Sequence, residues 1–276
     1  MKVDIFSLEG KPIKKVELPK QFDERVRPDV IKRAVLAIQS ARIVPYGTYT
    51  EAGKGYASEV SKRRRKYRGS YGKGISRTPR KILTRRGTQM HWVGATAPNT
   101  VGGRRAHPPK PEKIWQIKVN TTERKKAIRS ALAATLDLTR VKARGHRVSH
   151  LVSIIDSKIE GISKTKEIIK ILVLLNLKDE LRRTQERKIR AGRGKTRGRK
   201  YKTKTGPLIV VSKSCQLERA ASNIPGMEVC KVKNLNAENL APGTTPGRLT
   251  IFTEEALNVM KEQNLFLNNK KEEKDR

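Results

Sequence analysis

The sequence predicts an α/β fold, a largely parallel sheet flanked by helices, with a long irregular basic loop inserted near the N-terminus. Two observations predict the body. Over the C-terminal half, segments with apolar residues at helical spacing alternate with short, mostly apolar runs at 207–211 and 249–252. Such runs fill strands covered on both faces. A third observation predicts the loop. Between Pro45 and Glu112 the periodicity vanishes, glycines and prolines are scattered among basic residues, and no acid occurs between Glu59 and Glu112. A stretch of that composition cannot assemble its own core.

The elements follow in order. Lys2-Val3-Asp4-Ile5 alternates polar and apolar, Glu9-Gly10-Lys11 can turn, and residues 13–18 return as a second strand, so the chain opens on a hairpin. Pro28 and Asp29 then start a helix whose Ile31, Ala34, Val35, Ile38 and Ala41 make one buried stripe. After the loop, Asn120 with Glu123 three residues on has the signature of an N-cap, and Ala127, Ile128, Ala131, Leu132 and Leu136 give the apolar face of the helix it starts. Strands are predicted at 150–155, 207–211, 227–232 and 249–252, and helices at 164–175 and 217–221. Thr253 caps a last helix with Glu254 and Glu255 in its first turn, where carboxylates suit the helix dipole. The expected organisation is one α/β body made of 1–44 and 113–266. It carries an extended loop at 45–112 and a second basic segment at 182–206, and 267–276 is a charged tail expected to be disordered. No repeat of useful length is present.

Charge decides the function class. Lys+Arg number 63 against 26 Asp+Glu, a formal +37, and charged residues reach 32%, above the roughly 25% of typical domains. A chain so basic repels itself, and its natural partner is a polyanion, nucleic acid first. Cys215 and Cys230 are too few for a disulfide framework and are expected as buried thiols in a reducing compartment. Lys2, Asp4 and Glu9 break any secretory segment after Met1, and no apolar run is long enough for a membrane span, so a soluble, unprocessed chain is expected. His91, His107, His146 and His150 have no metal-ligand spacing and are expected solvated or facing RNA. Gly192-Arg193-Gly194-Lys195-Thr196 looks like the end of a phosphate-binding loop. The position five before Gly194 is Ile189, however, and a helical segment precedes it where a strand should. No cofactor, metal, small-molecule substrate or membrane partner is expected, and no enzymatic activity.

The candidate site is the basic excursion itself. Lys62, Arg63, Arg64, Arg65, Lys66 and Arg68 form a cluster, followed by Lys73, Arg77, Arg80, Lys81, Arg85, Arg86, Arg104 and Arg105. Tyr67, Tyr71 and Trp92 are interleaved as base-stacking candidates. Lys and Arg neutralise phosphates, planar Arg forks two hydrogen bonds, and exposed rings stack on unpaired bases. A second tract supplies Arg190, Arg193, Lys195, Arg197, Arg199 and Lys200 between glycines. A solvated, disordered linker is the competing reading of either tract; the interleaved aromatics favour loops that order on RNA. Fully extended, the first excursion could reach on the order of 100 Å, which suits threading into a large folded RNA. Two rival functions stay open from the residues alone: a sequence-tolerant nucleic-acid chaperone or compaction protein, and an RNA-modifying or nucleotide-hydrolysing enzyme.

Several motifs carry a further resemblance. The run 190–200 followed by Gly206-Pro207-Leu208, Arg129-Ser130-Ala131-Leu132-Ala133-Ala134, Gly145-His146, Asn223-Ile224-Pro225-Gly226, Leu240-Ala241-Pro242-Gly243 and Gly247-Arg248-Leu249 occur in this order. Arg105-Ala106-His107-Pro108-Pro109 and Val119-Asn120-Thr121-Thr122 frame the return of the loop. In these the chain resembles the large-subunit ribosomal protein four family, in its archaeal and eukaryotic form, over nearly its whole length. The resemblance implies a structural, non-catalytic constituent of the cytoplasmic large ribosomal subunit, bound mainly to the early domains of the large rRNA and supporting assembly. It also implies that the long loop penetrates the rRNA and that its tip narrows the nascent-peptide exit tunnel beside a neighbouring large-subunit protein. The tip is expected within 70–92, with Arg77, Arg80, Lys81, Arg85 and Arg86 near it. The lysine-rich C-terminal extension of eukaryotic members is not seen, so an archaeal-type protein is expected.

Overall fold

In the computed structural model, which describes residues 2–60, 62–65, 69–87 and 89–268, the chain divides into two units: Met1–Arg42 with Gln116–Arg276, and Ile43–Trp115. The first unit opens on an antiparallel hairpin, β1 (Lys2–Phe6) and β2 (Pro12–Glu17), in which Ile5 is buried and β2 is almost wholly exposed. Pro28, pre-set for the first turn, starts α1 (Pro28–Ala41), which buries Val30, Ile31, Ala34 and Val35; Ile38 is half-buried, and Ala41, expected in the buried stripe, is exposed at the helix's last position. The second unit holds a separate antiparallel pair, β3 (Arg80–Arg86) and β4 (Gln89–Gly94). The first unit resumes with α2 (Thr121–Thr135), α3 (Leu138–Ala143), β5 (Ile154–Ile155), α4 (Thr165–Leu174) and α5 (Lys178–Gln185). A small hairpin of β6 (Lys188–Ile189) and β7 (Tyr201–Lys202) comes next. The chain ends with β8 (Leu208–Val211), α6 (Gln216–Ser222), β9 (Glu228–Lys231), α7 (Ala237–Leu240), β10 (Thr250–Thr253) and α8 (Glu254–Glu262).

Six strands form one sheet in the order β2-β1-β5-β10-β8-β9; β1 and β2 are antiparallel and every other pairing is parallel. This is the predicted α/β architecture. The alternation of side chains splits the core in two. Ile5, Ile154, Leu208, Val210 and Phe252 face one layer with α1, α2, α7 and α8. Ile155, Ile209, Val211 and Ile251 face another with α3, α4 and α6. Strands β8 and β10 are buried at every position, β8 as an unbroken apolar run and β10 with Ile251 and Phe252 between two buried threonines. No residue of 43–115 enters either cluster, and Ala95 is the one fully buried hydrophobic residue of that unit among the described residues.

Several expectations are corrected. The strand predicted at 150–155 shrinks to β5, because β1 and β10 each pair with it over only Ile154 and Ile155. Asn120 stands at the N-cap of α2 but its side chain makes no capping bond, whereas Thr253 does cap α8 by accepting from the Ala256 amide at 3.3 Å. Cys215 and Cys230 are half-buried rather than buried, and partial burial pushes both thiols up in pKa. His146 is neither solvated nor free to meet RNA: it is buried at 4% exposure in a hydrogen-bonded cluster. Residues 80–86 and 89–94 pair as an antiparallel hairpin, with a register shift between Ile82 and Thr84, rather than forming irregular chain. Of the predicted tail, 269–276 lie outside the described residues.

Candidate nucleic-acid interface

The unit 43–115 runs out and back as a ribbon whose two arms touch at successive levels. The Thr48 amide donates to the Pro109 carbonyl (3.3 Å), the Ser58 and Thr96 hydroxyls stand 3.2 Å apart, and Glu59 bridges antiparallel to Arg80. Between these levels Gly53, at φ +77°, lies so close to the returning arm that a Cβ would stand 2.5 Å from the Arg104 amide nitrogen. Only glycine permits that approach. Gly103 is tighter still, since a Cβ there would stand 2.0 Å from the Ala97 carbonyl oxygen.

The ribbon ends in the β3–β4 hairpin. Its register sets Arg86 opposite Gln89 and Arg85 opposite Met90, beside the turn at Gly87. Arg80 opposite Gly94 and Lys81 opposite Val93 sit at the far end, roughly 20 Å away at a strand's rise per residue. The five tip candidates are therefore not brought together: Arg85 and Arg86 flank the turn, Arg80 and Lys81 lie at the hairpin's base, and Arg77 precedes it. Three cations sit on rings. Lys81 Nζ is 3.7 Å from the Tyr56 centroid, the Arg77 guanidinium 4.5 Å from Tyr71, and Lys73 Nζ 4.7 Å from Trp92. Such contacts hold each ring in place. Arg80 donates to the Ser76 carbonyl (3.0 Å) and hydroxyl (3.1 Å), and Arg85 Nε to the Gly87 carbonyl (3.2 Å). Arg63, Arg64, Arg65, Arg104 and Arg105 are exposed, while Lys66, Tyr67 and Arg68 lie outside the described residues. Among the described residues, no carboxylate pairs with Arg86, Arg104 or Arg105.

At the root of the ribbon, Tyr46 and Trp115 face each other with centroids 5.0 Å apart and planes inclined by 32°, and Lys113 Nζ lies 4.7 Å over Trp115. They line a cleft of about 680 Å³ together with His107 and Pro108. The indole N–H of Trp115 is buried there without an acceptor. Sequence reading did not single out this pair; one aromatic at each end of the excursion, beside Pro108-Pro109, was the available signal.

The second basic segment is also ordered. The Arg190 amide donates to the Lys200 carbonyl at 2.8 Å, extending the β6–β7 hairpin, and Gly192 and Gly198 turn at φ +77° around a single 3-10 turn, Lys195–Arg197. Arg193, Lys195, Arg197, Arg199 and Lys200 all project from this turn without a carboxylate partner among the described residues. No α-helix opens after Lys195, so the segment does not have the build of a phosphate-binding loop.

Behind this hairpin the body carries buried charge that the sequence did not reveal. Glu180 is fully buried and receives Arg183 Nη2 (2.6 Å) and Nε (2.8 Å), the Arg147 amide (2.9 Å) and His146 Nδ1 (2.6 Å). The Leu249 amide donates to His146 Nε2 (3.3 Å), so the ring proton sits on Nδ1 and points at Glu180. Burial pushes the Glu180 carboxyl up in pKa, but the hydrogen bonds from Arg183, His146 and the Arg147 amide outweigh it and hold the group down at about 2. Arg248 is completely buried on Glu228 (2.7 Å) and the Gly206 and Asn239 carbonyls.

Among the described residues no helix is long and apolar enough to cross a membrane, and no group of three or more His, Cys, Asp or Glu is placed to hold a metal ion. A family model described as the ribosomal protein L4/L1 family matches residues 16–263. The large ribosomal subunit protein uL4 of Nanoarchaeum equitans is 50% identical over 267 residues, covering 96% of this chain and 100% of that protein. The proteins of the same name from Methanosphaera stadtmanae and Archaeoglobus fulgidus are 44% and 41% identical, over 93% and 95% of this chain and 95% and 99% of their own lengths.

Proposed function

The chain belongs to the ribosomal protein L4/L1 family, and from that premise we propose that it acts as a non-catalytic, archaeal-type constituent of the cytoplasmic large ribosomal subunit that binds large-subunit rRNA through its two basic hairpins. Residues 45–112 form the rRNA-penetrating loop, 182–206 the second rRNA-binding segment, and 1–44 with 113–266 the body that anchors both. The observation that carries this reading is the separation of charge. Among the described residues, Arg86, Arg104 and Arg105 on the ribbon and Arg193, Lys195, Arg197, Arg199 and Lys200 on the 190–200 turn have no carboxylate partner, beside held aromatic rings and close-packed glycines, while Arg183 and Arg248 inside the body are paired with Glu180 and Glu228. Phosphates supply the missing charge, and bases stack on the free faces of Tyr71, Trp92, Tyr46 and Trp115.

The loop's far end narrows the nascent-peptide exit tunnel beside a neighbouring ribosomal protein. The hairpin register supports Arg85 and Arg86 as the residues nearest that end, with Arg80, Lys81 and Arg77 gripping RNA further back. Equilibrium binding across a salt series tests the reading, comparing a fragment from the early domains of large-subunit rRNA with length-matched unstructured RNA and duplex DNA. The rRNA fragment alone should keep tight binding at high salt. If all three ligands weaken together, with log-log slopes of roughly −0.7 to −0.9 per phosphate, charge is the whole interaction and the protein is a sequence-tolerant chaperone or compaction protein.

A further inference from the structure

A cleft of about 580 Å³ lies in the body where the β6–β7 hairpin leaves it, lined among others by Arg144, Arg183, Lys188, Lys202, Lys204 and Thr205. No acidic residue lines it. We propose that this cleft seats one phosphate group of the RNA backbone, clamped between Arg144 on its floor and Lys188 and Lys202 on its rim; the inference rests on the rRNA-binding reading and adds to it residues outside both basic tracts.

Four observations carry it. Arg144 Nη1 is buried with no hydrogen-bond partner, although Nη2 of the same guanidinium donates to the Pro242 carbonyl at 2.5 Å. A buried charged donor without an acceptor is costly, and native structures rarely leave one so. Second, Arg248 Nη2 is equally orphaned in a side chain with no exposure at all, so two neighbouring guanidiniums lack one acceptor each. Third, the cations repel one another: burial first, then the charges of Arg248 and Arg183, bring Arg144 down to a pKa of about 10. An anion would relieve that repulsion, and the protein's nearest carboxylates do not. Glu180 is already shared by Arg183, His146 and the Arg147 amide, Glu228 is held by Arg248, and Glu186 pairs with Lys204. Fourth, Lys188 and Lys202 are register partners directly across β6–β7. Like charges so placed destabilise a strand pair unless an anion lies between them.

The chemistry matches a phosphate diester. Planar guanidinium and two ammonium groups offer convergent charged donors, and the Thr205 hydroxyl beside them can donate to a third oxygen. A free phosphate ion has the same chemistry, so the test separates the two sources. Ethylation interference is run on an rRNA fragment bound by the wild-type full-length protein and by Arg144→Met, Lys202→Met and Arg193→Met. With wild type, ethylation at one phosphate should block binding. Arg144→Met and Lys202→Met should lose that interference, bind roughly tenfold more weakly, and show a log-log salt slope shallower by about 0.7 to 0.9, one phosphate's worth. Arg193→Met, altered on the hairpin turn outside the cleft, should weaken binding and keep the interference.

The proposal is overturned if either cleft variant that retains a cooperative thermal transition also retains affinity, slope and interference; the exposed Lys202 keeps this readable even if Arg144→Met does not fold. It is also overturned if orthophosphate, at ionic strength matched with chloride, raises the melting temperature of wild type but not of Arg144→Met and is not displaced by the rRNA fragment, since the cleft then serves a free anion. Should the wild-type protein prefer rRNA no more than duplex DNA, the rRNA-binding reading fails by itself, whatever the cleft variants do.

Discussion

Replacing Glu180 by Gln tests the buried charge that holds α5 to the body. The side chain is fully buried and accepts two hydrogen bonds from Arg183, one from His146 and one from the Arg147 amide. The carboxyl sits at about 2 in place of its ordinary 4.5, a gap worth about 3 kcal/mol of stability at neutral pH. Removing one partner of such a pair also leaves Arg183 buried and uncompensated beside Arg144, and losses of about 3–5 kcal/mol are usual. Glu180→Gln should therefore lower the stability obtained from urea denaturation at pH 7 by about 3–5 kcal/mol, without a large change in the slope. The sign of the pH dependence follows from the direction of the shift. A carboxyl whose folded pKa lies below its unfolded one contributes fully above about pH 4.5, and the contribution is lost as pH falls towards about 2. Measured against wild type, with His146 present in both, the deficit should shrink across that window. A Glu180→Gln,Arg183→Met double variant should recover part of the loss, because no unpaired charge is left. A deficit under about 0.5 kcal/mol at pH 7, or one unchanged at pH 2, would refute the electrostatic account.

Gly103→Ala should break the ribbon and spare the body: its methyl would stand 2.0 Å from the Ala97 carbonyl oxygen, so amide exchange protection at Arg104, which donates to Thr96, should disappear while the melting temperature of the body stays put. Hydrogen exchange with calorimetry checks both halves. Deleting 62–105 removes no member of either apolar cluster, and the shortened chain should keep a cooperative thermal transition by circular dichroism; a broad, non-cooperative melt would make the ribbon part of the free protein's fold.

What the sequence disclosed depended on how many faces of an element are dry. Strands β8 and β10 are covered on both sides, so Leu208 to Val211 reads as an unbroken apolar run and Leu249 to Phe252 as one interrupted only by Thr250, and α1 shows its stripe at Ile31, Ala34 and Val35. The β3–β4 hairpin hides its period because Arg80, Lys81, Arg85 and Arg86 hold strand positions that no core covers. Helix α5 was concealed for the opposite reason: its buried face is Glu180, Leu181, Arg183 and Thr184, and the His146 that makes Glu180 tolerable inside lies far away in sequence. The site divides the same way. Residue type was enough to mark the cations of the two tracts, but their grouping depends on pairing registers such as Arg85 with Met90. Nothing in the sequence separates Arg144 from the other arginines, and Arg248 stands out only as part of the motif Gly247-Arg248-Leu249. Their meaning lies in which acceptors they lack.

The same arginine chemistry is used in two opposed ways, and the division has a consequence for mutation. Inside the body, Arg129 meets Glu24 (2.9 Å), Arg183 meets Glu180 and Arg248 meets Glu228. The first two pairs are largely withdrawn from water and salt, the third leaves only its arginine buried while Glu228 is exposed, and in each the loss of the partner of a buried arginine is felt as instability. At exposed ribbon positions such as Arg86, Arg104 and Arg105, and on the 190–200 turn, the charges stand in water, where each contributes little to folding but each neutralised phosphate releases counterions. Folding and binding are thus carried by separate arginines. Substitutions at Arg86, Arg105, Arg193 or Arg197 should change RNA affinity and its salt slope at constant stability, whereas those at Arg183 or Arg248 should lower the amount of folded protein before they alter what it binds. Arg144 belongs to both sets. Nη2 closes a bond to the Pro242 carbonyl while Nη1 has none, and a residue half committed to the body and half awaiting an anion is where folding and RNA binding become energetically linked.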